Sequence, residues 1–407
     1  MPHACWKSTT APIPAPEQSG KQCLTTPVKG FSTPKRYIGL MTKFAFTPSR
    51  HPFSRQPGDI ALWLVATLHV VVFLSFMVIV ASLSPAHAQD PSAQAAPVCT
   101  GNNVLDELKV QDPARYAKVI AEGEKTPNGK GIFWKIEKDG VPTSYLLGTM
   151  HVTDPRVLAM PAGAAEAANN AKTIAIESDE ILDEKKAMAG LMAKPDLLMF
   201  MDGKTIKTLL PEDQVAKLDA ALKERNIPLA AVQSFKPWMI SGMIALPACE
   251  LARKANAAPF LDKKIALDAI AAGKPVKGLE TMEEQLSAMA ALPLDLHLKS
   301  LTETLDLGSR MNDVTETMTA LYVAGDIGLT VPMLRALTPE DDKEADAGYA
   351  EFEKMIVTKR NHIMAERSAA LFKEGGLFMA VGALHLSGEE GVIELLRKQG
   401  FKVTAIN

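Results

Sequence analysis

The fold is decided by a short apolar run that ends in Gly-x-x-His, namely Tyr145-Leu146-Leu147-Gly148-Thr149-Met150-His151. The same design returns near the end of the chain as Phe378-Met379-Ala380-Val381-Gly382-Ala383-Leu384-His385. A short apolar run between turn residues predicts a buried strand, and a histidine directly after it lies at the rim of a sheet, where ligand sites form. One such histidine is typical of a structural residue, whereas two in matching contexts favour one shared site. We expect the two glycines to permit a turn at each strand end.

Two glutamates follow other predicted strands. Glu177 comes after the run 173–176, and Glu280 comes after 275–279. Taken singly, each glutamate is equally consistent with a solvated strand end or a helix cap. Together with two imidazoles, they are suitable ligands for a divalent ion such as Mn, Co or Zn.

The remaining pattern predicts an α/β (α+β) domain. Asp139-Gly140 indicates a hairpin between two strands, and strands mixed with long helices predict a mixed sheet flanked by helices. A helical insertion is expected between the Glu177 and Glu280 strands. The apolar stretch 234–251 is interrupted by prolines, which favours a buried helix pair over a membrane span. Single helices are predicted over three ranges: 106–122, 296–324 and 344–373.

The N-terminal region has the pattern of an export signal. An apolar run from Ile60 to Ala81 follows basic residues and precedes the small-x-small site Ala86-His87-Ala88, as in a secretory signal peptide. A retained inner-membrane anchor over 60–83 is the alternative, because a spanning helix needs about 20 apolar residues. We expect export to a bacterial periplasm. The predicted segments are a gene-model extension without structure (1–40), a signal peptide (41–88), a flexible mature N-terminus (89–100) and one domain (101–407).

Composition excludes some classes of partner. The chain has 407 residues, is 47% hydrophobic and 22% charged, and has a net charge of −3, so it lacks the basic excess of a nucleic-acid-binding protein. Beyond residue 88 there is no Gly-x-Ser-x-Gly elbow, P-loop or Cys-x-x-Cys. Cys99 and Cys249 are the two cysteines of the predicted mature part. They form a disulfide if that part is exported, and are two buried thiols otherwise.

Three stretches resemble the signatures of the TraB/GumN family, which includes PrgY proteins and the animal Tiki proteases. They are Tyr145 to Arg156, Gly278-Leu279-Glu280-Thr281-Met282-Glu283-Glu284-Gln285-Leu286, and Gly382 to Leu386 followed by Gly391-Val392. Arg360-Asn361 matches a pair that precedes the last signature. The resemblance covers roughly 128–403.

The resemblance implies a fold related to the erythromycin-esterase and ChaN-like proteins. It also implies a metal-dependent peptidase in which His151 and His385 are metal ligands. Glu177 is then a ligand or the general base, with Glu280 as its partner. Arg360 is the candidate electrophile for a tetrahedral intermediate, because an arginine is a fixed and always charged donor.

Three functions follow from these observations. The first is a divalent-metal hydrolase of the cell envelope that acts on peptide or amide bonds. The second is a non-catalytic protein that binds a peptide or small ligand in the same pocket, and the third is a haem or metal carrier. His362 is expected to be solvated, and the methionines around Met188, Met192, Met199 and Met201 are expected to form a flexible core face.

Overall fold

The structure is a computed structural model that describes residues 99–338 and 343–406. The predicted extension, signal peptide and most of the flexible segment therefore lie outside the described residues. Within the two described ranges, no helix has both the length and the apolar character needed to cross a bilayer.

A six-stranded mixed sheet forms the centre of the domain. Its strands are β1 (Phe133–Lys138), β2 (Val141–Thr149), β3 (Thr173–Ile176), β4 (Val276–Gly278), β5 (Leu377–Gly382) and β6 (Lys402–Ala405). Their spatial order is β4-β3-β5-β2-β1-β6. The four strands β4, β3, β5 and β2 run parallel, and β1 pairs antiparallel with both β2 and β6. The predicted α/β class, the mixed sheet and the hairpin at Asp139-Gly140 are confirmed.

Helices cover the sheet and form the insertion. Before β3 they are α1 (Val104–Gln111), α2 (Pro113–Lys125), α3 (Pro155–Leu158) and α4 (Ala164–Asn170). Between β3 and β4 they are α5 (Glu184–Met192), α6 (Pro195–Leu198), α7 (Ile206–Leu209), α8 (Glu212–Lys223), α9 (Leu229–Val232), α10 (Pro237–Ala245), α11 (Ala248–Ala255) and α12 (Leu261–Ala271). After β4 they are α13 (Met282–Ala290), α14 (Leu294–Leu307), α15 (Met311–Ala324), α16 (Thr330–Arg335), α17 (Lys343–Phe352), α18 (Lys359–Glu374) and α19 (Val392–Lys398).

The two faces of the sheet are buried by different helices. Alternate residues of a strand point to opposite faces, so in β5 Phe378 lies in one core cluster and Met379 in the other. The first cluster includes Ile265 of α12, and the second includes Phe372 of α18. Because both faces are covered, the central strands are continuous apolar runs.

The helical insertion packs together with α14, which follows β4, around a separate core. Leu218 and Leu222 of α8, Ile240 of α10 and Leu301 of α14 are fully buried together. The stretch predicted as a buried helix pair is α10 followed by α11, which confirms that expectation.

Two of the three long helices predicted from periodicity are interrupted, whereas the third is one continuous helix. The first is divided at Asp112, whose carboxylate caps α2 by accepting from the Arg115 N–H, with Pro113 at the first helical position. The second is interrupted at Gly308 by a 3-10 turn. The third contains a π-helical segment, Glu353–Thr358, between α17 and α18. Apolar periodicity survives such local breaks, so it does not reveal them.

The methionine prediction is also wrong. Met188, Met192 and Met201 are exposed by 57%, 71% and 66% respectively. Met188 and Met192 lie on α5 and Met201 follows α6, and all three face solvent, while the leucines of α8 fill the insertion core instead.

The predicted disulfide is present. Cys99 and Cys249 are bonded across 150 residues, which fastens the start of the described chain to α11. One turn further along α11, the guanidinium of Arg253 donates to the Cys99 sulfur and to the Glu250 carboxylate. Glu250 in turn accepts from the N–H and hydroxyl of Thr153. This buried network fixes the loop that follows His151.

Candidate functional site

Four parallel strands bring the candidate residues to one edge of the sheet. Thr149 of β2 is level with Gly382 of β5, and Ile176 of β3 is level with both Ala380 and Gly278. The residues that follow these strands therefore lie at a similar level along the strand direction, at one edge of the sheet. Across the edge their order is Glu280, Glu177, His385 and His151.

Glu177 lies at the centre of the site. Its Oε1 accepts a hydrogen bond of 2.6 Å from the Gly382 N–H and lies 3.8 Å from His385 Nε2 and 4.0 Å from His151 Nε2. Burial opposes ionisation of this carboxylate, but the neighbouring imidazoles of His385 and His151 and the Arg360 guanidinium lower the pKa of Glu177 to about 2. Glu177 is therefore ionised at neutral pH.

The orientation of His385 follows from a chain of two hydrogen bonds. The Asn361 amide nitrogen donates to the Glu390 carbonyl, so Asn361 Oδ1 faces His385 Nδ1, 2.7 Å away. Because that oxygen can only accept, Nδ1 carries the hydrogen and Nε2 keeps its lone pair. Burial lowers the pKa of His385 to about 4, so the ring is neutral with its free nitrogen on the Glu177 side.

His151 is in a different electrostatic state. Its side chain is 53% exposed, and its Nε2 lies 3.5 Å from Asp262 Oδ2. Desolvation opposes protonation, but the Asp262 and Glu177 carboxylates outweigh it and raise the pKa of His151 to about 9. The Phe260 ring packs against the imidazole, with the ring centres 5.3 Å apart.

Glu280 and Arg360 form the opposite end of the site. Arg360 Nη2 donates to Glu177 Oε2 at 2.7 Å and to Glu280 Oε2 at 2.8 Å, while its Nε lies 3.1 Å from both Glu280 oxygens. Gln285 also donates to Glu177 Oε2. The arginine thus holds two buried carboxylates side by side, which would otherwise repel each other.

Glycine is required at positions 148 and 382 for a reason that differs from the predicted one. A 3-10 turn follows Gly382 and Gly148 lies within β2, but neither glycine has a positive φ, so the turn does not require glycine. A Cβ on Gly382 would lie 3.0 Å from Glu177 Oε1, and one on Gly148 would lie 3.1 Å from the Ala383 Cα. Close approach of neighbouring groups is what requires glycine at both positions.

Sequence reasoning missed Asp262, and it gave no role to Asn361 or Phe260. Asp262 and Phe260 come from the insertion, where an acidic residue in the first turn of a helix is common for reasons of the helix dipole. The one sequence signal for Asn361 was that it adjoins Arg360 in a family motif. His362, as expected, is exposed, and it lies beside Glu390 rather than in the site.

A large cavity of about 880 Å³ lies beside the site. Its lining is mostly apolar and includes Trp238, Leu292 and Tyr349, and it touches the surroundings of the site at Asn361 and Leu384. The two histidines and Glu177 do not line it. The cavity and the polar cluster are therefore neighbouring features of the molecule.

Fold and site together define a class: an α/β protein with two histidines and several carboxylates gathered at the carboxyl edge of a mixed sheet. Within that class, the chain belongs to the TraB/PrgY/gumN family, whose model matches residues 132–405. The predicted resemblance is thereby confirmed.

Curated relatives include animal proteins named as metalloproteases. Metalloprotease TIKI1 of Danio rerio is 26% identical over 314 residues, which covers 66% of this chain and 62% of the relative. Metalloprotease TIKI1 of Homo sapiens is 25% identical, with coverage of 66% and 61%. The Metalloprotease TIKI homolog of Nematostella vectensis is 24% identical, with coverage of 69% and 68%.

The chain thus spans about three fifths of the length of the two TIKI1 proteins. The names of these relatives indicate a metal-dependent, protease-like function within the family. No solved structure gives a significant match, so the likeness to erythromycin-esterase and ChaN-like folds stays a prediction.

Proposed function

We propose that this protein is a divalent-metal-dependent hydrolase that acts on peptide or amide bonds. One observation carries the proposal: Glu177 Oε1 lies between the Nε2 atoms of His385 and His151, at 3.8 and 4.0 Å. The chain belongs to a family whose members include proteins named as metalloproteases, which supports the same proposal.

The donor set has the chemistry of a divalent-metal site. His385 Nε2 has a free lone pair, its Nδ1 is held by an amide oxygen, and Glu177 is ionised, as imidazole and carboxylate ligands require. Two ligands of one four-coordinate ion at about 2.0–2.2 Å lie roughly 3.3–3.6 Å apart, somewhat closer than these atoms are. Accordingly, in the described part of the chain no three His, Cys, Asp or Glu side chains form a ready metal-binding group.

His151, His385 and Glu177 are the residues that would hold the ion. A bound divalent ion supplies a Lewis acid that lowers the pKa of water and polarises a carbonyl. His151 must lose its proton to bind, and as the half-exposed member it is the one that a substrate meets from solvent.

The remaining residues keep the carboxylates in place. Arg360 directs its Nε and Nη2 atoms at Glu177 and Glu280, which supports a role in holding Glu177 for use as a ligand or general base. Stabilisation of a tetrahedral intermediate by Arg360 requires that one of these donors turn toward the substrate. Both Glu280 oxygens accept hydrogen bonds from Arg360. Glu280 therefore influences Glu177 by positioning that arginine.

A specific feature favours a second function. The mostly apolar cavity of about 880 Å³ is within the size range of small-molecule sites, which supports binding of a peptide or small ligand without hydrolysis. Haem or metal carriage is the remaining alternative and would use the same histidines.

We also propose that the protein works outside the cytoplasm. The disulfide between Cys99 and Cys249 supports this, because such bonds persist in oxidising compartments. The signal-like pattern over 41–88 supports the same location, with the membrane anchor over 60–83 as its alternative.

Substitution of Glu177 tests the hydrolase proposal. The chain, loaded with Mn, Co or Zn ions, is incubated with a mixture of unstructured peptides, and new termini are counted by mass spectrometry. We expect Glu177→Gln to lower cleavage by at least about a hundredfold with an unchanged circular dichroism spectrum. Glu283→Gln is the control, because Glu283 is exposed and pairs with Lys194.

Three other outcomes contradict the proposal. Stoichiometric peptide binding without products supports the binding-protein alternative. Equal cleavage by Glu177→Gln places the chemistry elsewhere. A Soret band on haem titration, without cleavage, supports a haem carrier.

A further inference from the structure

Asp262 is a buried carboxylate that the predicted site does not include. It is the second residue of α12, and its side chain is 3% exposed. The Thr149 hydroxyl donates a 2.8 Å hydrogen bond to Asp262 Oδ1. Because Thr149 ends β2 two residues before His151, this bond fixes the carboxylate relative to the imidazole.

The other oxygen of Asp262 has no such bond. Oδ2 is buried and has no hydrogen-bond partner among residues 99–338 and 343–406, whereas buried polar atoms in native proteins are nearly always paired. Its neighbour is His151 Nε2 at 3.5 Å, beyond the usual length of an N–H···O hydrogen bond. Oδ2 thus faces the candidate site in an ion pair with His151 but without a hydrogen bond.

The separation itself matches a pair of metal ligands. Two ligands of a four-coordinate ion lie roughly 3.3–3.6 Å apart, and the 3.5 Å between Asp262 Oδ2 and His151 Nε2 falls in this range. It is shorter than either histidine's distance from Glu177 Oε1. Of these three separations, the one between Asp262 and His151 needs the least adjustment for both atoms to bind one ion.

The insertion therefore contributes residues to the site. Asp262 and Phe260 both come from the chain between β3 and β4, and both lie against His151. A donor from the insertion would add to the ligands that the strand ends supply.

We propose that Asp262 is a further ligand of the divalent ion, through Oδ2, so that the helical insertion completes the metal site. This inference rests on the proposed metal-dependent function. It adds a carboxylate to the two imidazoles and Glu177. With all four bound, a water or substrate atom would take a fifth position, an expansion that zinc accepts in catalytic sites.

Cobalt binding tests the assignment without any measurement of activity. The full chain is stripped of metal and titrated with Co²⁺, and both the affinity and the visible d–d absorption are recorded. Asp262→Asn keeps the size of the side chain and an acceptor for Thr149 but removes the charge. We expect at least a tenfold loss of affinity and an altered d–d spectrum. Asp268→Asn is the matched control, because Asp268 lies on the same helix and is 60% exposed.

A ligand swap gives a second and independent readout. In Asp262→Cys, a thiolate at a ligand position gives a near-ultraviolet charge-transfer band with Co²⁺ that wild type lacks. A cysteine that only neighbours the ion gives no such band. This variant decides the question even if Asp262→Asn fails to fold.

The outcomes separate this proposal from the previous one. If wild type binds Co²⁺ and Asp262→Asn matches it in affinity and spectrum, Asp262 is not a ligand and only this inference fails. Weaker binding with an unchanged spectrum, or no charge-transfer band in Asp262→Cys, means that Asp262 only orients His151 and overturns it likewise. If wild type binds no ion at all, the metal-dependent function fails first and this inference with it.

Discussion

His385 shows how single side chains prepare the site. The Glu390 carbonyl fixes the Asn361 amide, and that amide fixes which imidazole nitrogen carries the hydrogen. The result is a neutral, buried ring with one free lone pair, which is the form in which histidine binds metals. Asn361 therefore acts on the ion through His385.

Removal of the amide tests this arrangement. Asn361→Leu keeps a similar volume but leaves His385 Nδ1 without its acceptor, so the ring no longer prefers the tautomer with a free Nε2. Loss of such a supporting hydrogen bond typically weakens metal affinity about 10–100-fold, and titration with Co²⁺ measures this. His362→Gln, at the exposed neighbouring position, should bind like wild type. Equal affinity in Asn361→Leu would show that the tautomer is set in another way.

The residues predicted from local sequence pattern lie just after strands, whereas Arg360, on α18, was predicted from the family resemblance. Glu177, His385 and His151 stand next to apolar runs, so their rim positions are readable from local pattern. Asp262 is not readable in this way, because its bond to Thr149 joins residues 113 positions apart. The contact depends on α12 packing against the sheet, which the local sequence pattern does not reveal.

At the scale of elements, the parallel strands determine which groups meet. Pairing of Thr149 with Gly382 and of Ile176 with Ala380 brings the ends of β2, β5 and β3 level. The strands were predictable because both sheet faces are buried, which makes each strand a continuous apolar run. Helix boundaries were less predictable, because breaks at Asp112 and Gly308 depend on local caps and turns.

Gly382 is the last residue of β5, and its N–H donates to Glu177 Oε1. In Gly382→Ala the new methyl group lies 3.0 Å from Glu177 Oε1, and Arg360 and Gln285 prevent that carboxylate from moving away. Overpacking of this kind costs about 1–3 kcal/mol of folding free energy, to be measured by urea unfolding, and metal affinity should fall as well.

A glycine in open space gives the control. A Cβ on Gly190 of α5 meets nothing within 4 Å, so Gly190→Ala should leave stability unchanged or raise it by up to about 1 kcal/mol. If Gly382→Ala behaves like Gly190→Ala, close packing against Glu177 is not the reason for the glycine.

At the scale of the whole molecule, the disulfide and the Glu250 network join the insertion to the loop after His151. The bond closes a loop of 150 residues, and in the chain-entropy model such a bond contributes roughly 5 kcal/mol. Thr153, Glu250 and Arg253 extend this connection toward His151. Because α11 carries both Cys249 and Glu250, it connects the disulfide that stabilises the domain to the loop that positions His151.

Cys99→Ala/Cys249→Ala should accordingly lower the free energy of unfolding by up to about 5 kcal/mol, as measured by urea unfolding. A reductant should lower the midpoint of wild type toward that of the variant and leave the variant unchanged. A wild-type midpoint that does not move once the bond is shown to be reduced would contradict this link.

The central claim is that two histidines and Glu177 form one divalent-metal site. Its most direct test is elemental analysis of purified wild type and of His151→Ala/His385→Ala after exchange against a panel of divalent ions. We predict about one ion per chain in wild type and none in the variant, with unchanged circular dichroism. Absence of any retained ion in wild type, or equal retention in the variant, would contradict the claim.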